Sequence, residues 1–188
     1  MLSDKTLWLA TGNQDKLNEA RLILSEFGIR VHRLMGRKVE IQSSSLAQIA
    51  SFAADEISRV HSGIVAAEDS GLFVESLSGF PGPFTSYAYQ TVGPAGILRL
   101  LANSPNRTAH FEAAIAVSIS GRTLKIFLGQ VNGAIVKSRR GSNGFGFDSI
   151  FIPTGKLSTF GEMSTTQKNM QSHRQRAFGK LARWYRTL

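Results

Sequence analysis

The chain contains no cysteine, which excludes disulfide crosslinks and thiolate metal ligands. It has no apolar run near the roughly 20 residues needed to span a bilayer, and Met1 to Lys5 form no signal-peptide core. A cytoplasmic protein with no membrane partner is the simplest expectation. Histidine is sparse: His32, His61, His110 and His173 show no metal-ligand spacing, so a zinc site is not expected. Acidic residues are missing from Met163 onward, where Lys168, Arg174, Arg176, Lys180, Arg183 and Arg186 stand unopposed in sequence. Internal repeats, low-complexity segments and clear linkers are also absent.

What remains is an ordinary globular composition, 42% hydrophobic and 19% charged over 188 residues, enough for one domain with a real core. Net charge is +9, and the basic tail holds six of those charges. Such a tail suits nucleic acid, an anionic membrane or a polyphosphate, and equally a solvated helix face. Charge alone does not choose among them.

Periodicity supplies the architecture. Leu7 to Ala10 reads as a buried strand entering a turn at Thr11-Gly12-Asn13, and Lys16 to Phe27 has helical apolar spacing with Gly28 as its stop. Ile29 to Leu34 reads as a second strand. Ser43-Ser44-Ser45 offers a cap for a helix carrying Leu46, Ile49, Ala53, Ile57 and Val60. Gly63 to Ala67 reads as a strand that opens into a turn at Glu68-Asp69-Ser70-Gly71. Beyond the loop Gly79 to Pro83, a helix is expected over Ala95 to Ala102. Two strands, Ala109 to Ile119 and Thr123 to Val131, meet at Ser120-Gly121-Arg122. Ile135-Val136 reads as a short strand and Ser138 to Gly146 as a loop. The closing helix, from about His173, buries Ala177, Leu181 and Trp184. Early strand–helix alternation followed by strand–strand pairing predicts a mixed α/β protein.

Three polar segments join reactive residue types to glycine. In Thr11-Gly12-Asn13-Gln14-Asp15-Lys16, Gly12 permits close backbone approach, a helix N-terminus offers N–H groups, and Lys16 brings a mobile cation. That is a phosphate cradle in physical terms, without Walker spacing; Gly and Asn also serve such turns for conformation alone. In Glu68-Asp69-Ser70-Gly71, carboxylates at a strand's end suit Mg²⁺, which takes oxygen ligands and shares them with phosphates; the same residues suit a simple turn. Glu40 is a further candidate ligand, and equally a surface ion-pair partner. In the third segment Phe145 and Phe147, spaced by Gly146, offer an aromatic face to a purine, and Asp148 a carboxylate acceptor. Donors such as Arg174 at the purine O6 favour a 6-oxo base over adenine. His173 alone reads as a structural hydrogen-bonder.

The ordered series Ala10-Thr11-Gly12-Asn13 with Lys16 and Glu19, Glu68-Asp69-Ser70-Gly71-Leu72, Gly79-Phe80-Pro81-Gly82, Gly144-Phe145-Gly146-Phe147-Asp148, Thr159-Phe160 with Glu162-Met163, Lys168-Asn169 and Ser172-His173-Arg174 resembles the inosine/xanthosine triphosphate pyrophosphatases. The spacing around Glu40-Ile41-Gln42 looks especially like archaeal members. The resemblance implies one domain over 1–188 with an elongated central mixed sheet flanked by helices, and two lobes with a substrate cleft between them. It implies an enzyme that hydrolyses ITP, dITP and XTP to the monophosphate and pyrophosphate, and usually a homodimer. Thr11, Gly12, Asn13, Gln14, Asp15, Lys16 and Ser70 would bind the triphosphate. Glu40 and Asp69 would hold Mg²⁺, with Asp69 also the proton acceptor for water. Phe145, Gly146, Phe147, Asp148, Lys168, His173 and Arg174 would form the nucleoside and phosphate pocket. The chain departs from the usual pattern at Ser149, where proline is typical, at Gly161, where alanine is usual, and at Pro83 to Tyr87. A nucleic-acid-binding module and a nucleotide phosphatase of other base preference stay open as alternatives; under the resemblance, no stable nucleic acid partner is expected.

Overall fold

The computed structural model describes residues 5–35 and 41–187. Its first third alternates strand and helix: β1 (Lys5–Ala10), α1 (Gln14–Ser25), β2 (Ile29–Leu34), α2 (Leu46–Ser58) and β3 (Val65–Val74). Helix α1 buries Leu17, Ala20 and Leu24 on one face. The chain then reverses at Gly28, whose φ of +70° a glycine adopts without steric cost. Helix α2 starts where Ser45 accepts a hydrogen bond from the Gln48 amide, as the serine run predicts.

Next come β4 (Pro81–Gly82), α3 (Thr85–Thr91) and α4 (Gly93–Leu100), the long strands β5 (Thr108–Ile119) and β6 (Arg122–Ile135), then β7 (Phe151–Pro153), α5 (Thr165–Asn169) and α6 (His173–Tyr185). Seven strands form one sheet in the order β2-β1-β3-β5-β6-β7, with β4 attached to β3. Strand β1 runs parallel to β2 and β3, whereas β4 is antiparallel to β3 and β7 to β6. The sheet is therefore mixed and the protein is α/β, as the alternation predicts. Ser120 and Gly121, both at positive φ, make the two-residue turn between β5 and β6.

Several sequence expectations need correction: Ile135 is the end of β6 rather than a separate short strand with Val136, and the expected loop over Gly79 to Pro83 contains β4. Strand β3 does not end at Ala67; it continues through Glu68-Asp69-Ser70-Gly71 to Val74. The extension is held by β4, which pairs Leu72 with Gly82 and Phe73 with Pro81. A side chain at 71 would collide with the Gly82 carbonyl, so the glycine there serves strand approach rather than a turn. Helix α4 begins two residues before the expected Ala95, with Pro94 in its first turn, where a missing N–H costs nothing.

The chain divides into two compact units. The first comprises residues up to Asp69, Ala113–Gly129 and the chain from Arg174. Its core joins Leu7 and Leu9 of β1, Leu17 and Leu24 of α1, Ile115 of β5, and Phe178 and Leu181 of α6. Trp184 packs against that core and meets the Phe127 ring at 5.4 Å, the anchoring role its spacing predicts. The second unit comprises Ser70–Glu112 and Gln130–His173, with a core of Leu72, Ile97, Phe111, Phe147, Phe151 and Phe160. No helix among the described residues is long and apolar enough to cross a membrane.

Candidate active site

In the first unit the parallel register sets Ala10 beside Ala67. The Thr11-Gly12-Asn13 loop and the Glu68-Asp69 pair therefore leave β1 and continue β3 at the same carboxyl-terminal end. In α/β sheets that end is where ligands bind. Asn13 caps α1: its side-chain oxygen accepts from the amides of Asp15 at 2.8 Å and Lys16 at 3.1 Å. Its own amide donates to Thr11 Oγ1 at 3.1 Å. Two of the helix-start N–H groups offered to a phosphate by the sequence are thus already engaged. Gly12 is different. A Cβ there would meet nothing within 4 Å, and its backbone does not need positive φ. Neither packing nor a positive φ demands glycine there, and the bare backbone leaves room for close approach.

Behind the loop lies a network of four charges. Lys16 Nζ stands 2.8 Å from Glu68 Oε2. Arg174, at the start of α6, donates from Nε to Glu68 Oε1 at 3.1 Å and from Nη1 to Glu19 Oε2 at 3.2 Å. Glu19, Glu68 and Arg174 are all buried. Each buried charge here faces one of opposite sign, as burial of charge requires. Asp69 follows Glu68 in β3. Lys16 and Arg174, placed far apart in sequence, therefore meet on one carboxylate, that of Glu68. The candidate ligand Glu40 lies outside the described residues.

In the second unit Asp148 opens a 3₁₀ turn, and its Oδ2 accepts from the Phe145 amide at 2.8 Å and from Lys168 Nζ at 2.7 Å. The Asp148–Lys168 pair is buried on both sides. Lys168 Nζ also sits 4.7 Å from the centre of the Phe145 ring, within cation–π range. Gly144, at φ +73°, is fixed by this arrangement, since a side chain there would run into the Asp148 carboxylate. Ser149, in place of the usual proline, is held instead by its neighbours: its carbonyl accepts from the Arg140 amide at 2.9 Å and its hydroxyl from Arg139 Nε at 3.3 Å. Gly161 fits the same spot, because a Cβ there would press on the Ser149 Cα at 2.8 Å.

The two aromatic residues of this loop part company. Phe147 is 1% exposed, belongs to the second core and meets the Tyr89 ring edge-on at 5.7 Å. Its ring is a packing element, whereas Phe145 is half-buried. His173 is buried and stacked on Phe111, ring centres 4.9 Å apart and 11° from parallel. Ser70 lies in β3 at intermediate exposure. Glu19 and Phe111, which help hold Arg174 and His173, carry no chemistry in the sequence reading, whereas Glu68, read there as a carboxylate suited to Mg²⁺, is instead paired with Lys16 and Arg174. A buried acid directly after an apolar run was the available signal for Glu68; nothing local marks Phe111.

Similarity to known proteins is extensive. A sequence profile of the Ham1 family matches residues 7–184. The dITP/XTP pyrophosphatase of Hyperthermus butylicus is 42% identical over 182 residues, covering 97% of this chain and 95% of that protein. The dITP/XTP pyrophosphatase of Pyrobaculum aerophilum is 44% identical, covering 94% of each. The solved structure of the Staphylococcus aureus Ham1 protein superposes with a TM-score of 0.84 at 29% identity, covering 97% of this chain and 99% of that one.

Proposed function

Because the chain belongs to the Ham1 family, we propose that residues 1–188 form a single enzymatic domain that hydrolyses noncanonical purine nucleoside triphosphates. The substrates are ITP, dITP and XTP, and the products are the monophosphate and pyrophosphate, which removes the abnormal bases from the cytoplasmic nucleotide pool. The observation that carries the reading is the convergence of Lys16 and Arg174 on Glu68. It occurs at the strand end where Asp69 and the open Gly12 loop emerge.

In this reading Lys16, Thr11, Asn13, Gln14 and Ser70 meet the triphosphate, and Asp69 takes the proton of the water that attacks the α-phosphorus. Pyrophosphate leaves with its charge met by Lys16 and loop amides, so catalysis is mainly positioning and electrostatic stabilisation. The enzyme is metal-dependent, and Mg²⁺ is the ion proposed. Asp69 and Glu40 would hold it. Mg²⁺ is commonly held by one or two carboxylates together with the substrate's own phosphates. Bound there, Mg²⁺ supplies Lewis-acid neutralisation of phosphate charge. Phe145 stacks on the base, Gly146 and Phe147 shape its loop, and Asp148, Lys168, His173 and Arg174 present the polar groups that favour a 6-oxo purine. The chain works as a homodimer, as the resemblance implies; light scattering tests that point.

The deciding assay follows phosphorus products from ITP, XTP and ATP with and without chelator. Pyrophosphate from ITP and XTP, lost on chelation, is expected. Orthophosphate instead would contradict attack at the α-phosphorus, and equal rates on ATP would contradict the base preference.

A further inference from the structure

Arg33, near the end of β2, is not part of any segment that carries the family resemblance, yet its guanidinium grips the phosphate loop. Nε donates to the Thr11 carbonyl at 3.1 Å, Nη2 to the Gly12 carbonyl at 2.9 Å, and Nη1 to the Gln14 side-chain oxygen at 3.2 Å. We propose that Arg33 is a positioning residue for triphosphate binding: it pins the Thr11 and Gly12 carbonyls to one side of the loop so that the loop presents donors, not acceptors, to the phosphates.

The geometry follows from peptide planarity. In a trans peptide the carbonyl and the next amide point in opposite directions. Drawing the Thr11 carbonyl toward Arg33 therefore turns the Gly12 N–H away from it. A glycine can rotate its flanking planes with little penalty, so Gly12 alone does not hold that choice. An acceptor turned toward a phosphate would repel it, and the same loop would then oppose the ligand it is shaped to receive. The planar fork of arginine spans three acceptors from one head group; a lysine ammonium, a point donor, cannot hold all three in one plane. Other hydrogen bonds of the loop, the Asn13 cap, the Asn13 amide on Thr11 Oγ1 and the Leu17 amide on the Asn13 carbonyl, engage Asn13, Asp15 and Lys16 but neither the Thr11 nor the Gly12 carbonyl. Parallel pairing of Leu9 with Arg33 sets the reach: Arg33 stands beside β1 two residues before Thr11.

The inference deepens the proposed function and rests on its assignment of Thr11 to Lys16 to the triphosphate. It is tested with Arg33→Gln and the milder Arg33→Lys, using ITP turnover and calorimetric binding of inorganic pyrophosphate with Mg²⁺. For Arg33→Gln, KM for ITP and the pyrophosphate dissociation constant rise together by about tenfold, as misplacement of binding groups does. In the same variant kcat stays within about twofold, and the ITP-to-ATP preference is unchanged. Arg33→Lys falls between it and the wild type. Pyrophosphate affinity in both variants equal to wild type would overturn the inference while leaving the proposed function standing. A parallel fall of kcat, base preference and thermal midpoint would overturn it too, since Arg33 would then only support the fold. Wild-type protein that binds no pyrophosphate would refute the phosphate-loop assignment, and the role of Arg33 with it.

Discussion

Lys16 and Glu68 meet at 2.8 Å, and the same carboxylate holds Arg174 at 3.1 Å, so one buried acid serves two cations from opposite ends of the chain. Removing one partner of a buried pair leaves charge uncompensated and costs about 3–5 kcal/mol. Glu68→Gln is expected to lower unfolding free energy by that order, measured by urea titration. A stability equal to wild type would show that Glu19 alone satisfies Arg174.

Asp69→Asn keeps the shape of the side chain and removes its basicity. The variant should melt within a few degrees of wild type while pyrophosphate release from ITP falls by about 10²–10⁴-fold, the usual general-base contribution. Near-normal release from a folded variant would move the catalytic role to another residue.

Phe145 and Phe147 should separate cleanly. Phe147→Ala empties a core site and is expected to cost about 3–5 kcal/mol of stability. Phe145→Ala should leave stability nearly intact and raise KM for ITP by about tenfold, in keeping with stacking contributions of about 1–3 kcal/mol per base. Urea titration and steady-state kinetics on both proteins check the split, and the reverse pattern would exchange the roles given to the two rings.

Tyr185 should give a pH signature. Burial raises its phenol above the ordinary value, and its hydroxyl donates to the Thr6 carbonyl at 2.6 Å. The folded state favours the neutral phenol. Its contribution is complete below the unfolded pKa of about 10 and is lost as pH rises through the higher folded value. Urea midpoints between about pH 8 and pH 11 should fall more steeply for wild type than for Tyr185→Phe. Parallel curves would assign the alkaline loss to other groups.

Much of this was legible in the sequence because it is local. The apolar spacing of α1 and α2, the Ser45 cap and the Ser120-Gly121 turn are each set by neighbours within a few residues. The extension of β3 was not, because the signal for it sits on β4: Gly71 looks like a turn residue until the Gly82 carbonyl is seen against it. Phe147 is unavailable as a stacking face for the same reason, since an aromatic residue in a glycine-rich loop reveals nothing about the core it joins or the Tyr89 ring that packs against it. Arg33 carries no motif. Its importance depends on parallel pairing that brings β2 alongside the end of β1.

The Asn13 cap has a directional consequence. An asparagine amide has one oxygen and one NH₂, and here two backbone amides claim the oxygen. The nitrogen end therefore points away from those amides, so in the proposed reading an incoming phosphate would encounter hydrogens rather than lone pairs. Serine, threonine or aspartate would start the helix about as well. Of these, only asparagine, with its oxygen committed to the helix, would keep an NH₂ for a phosphate in that reading.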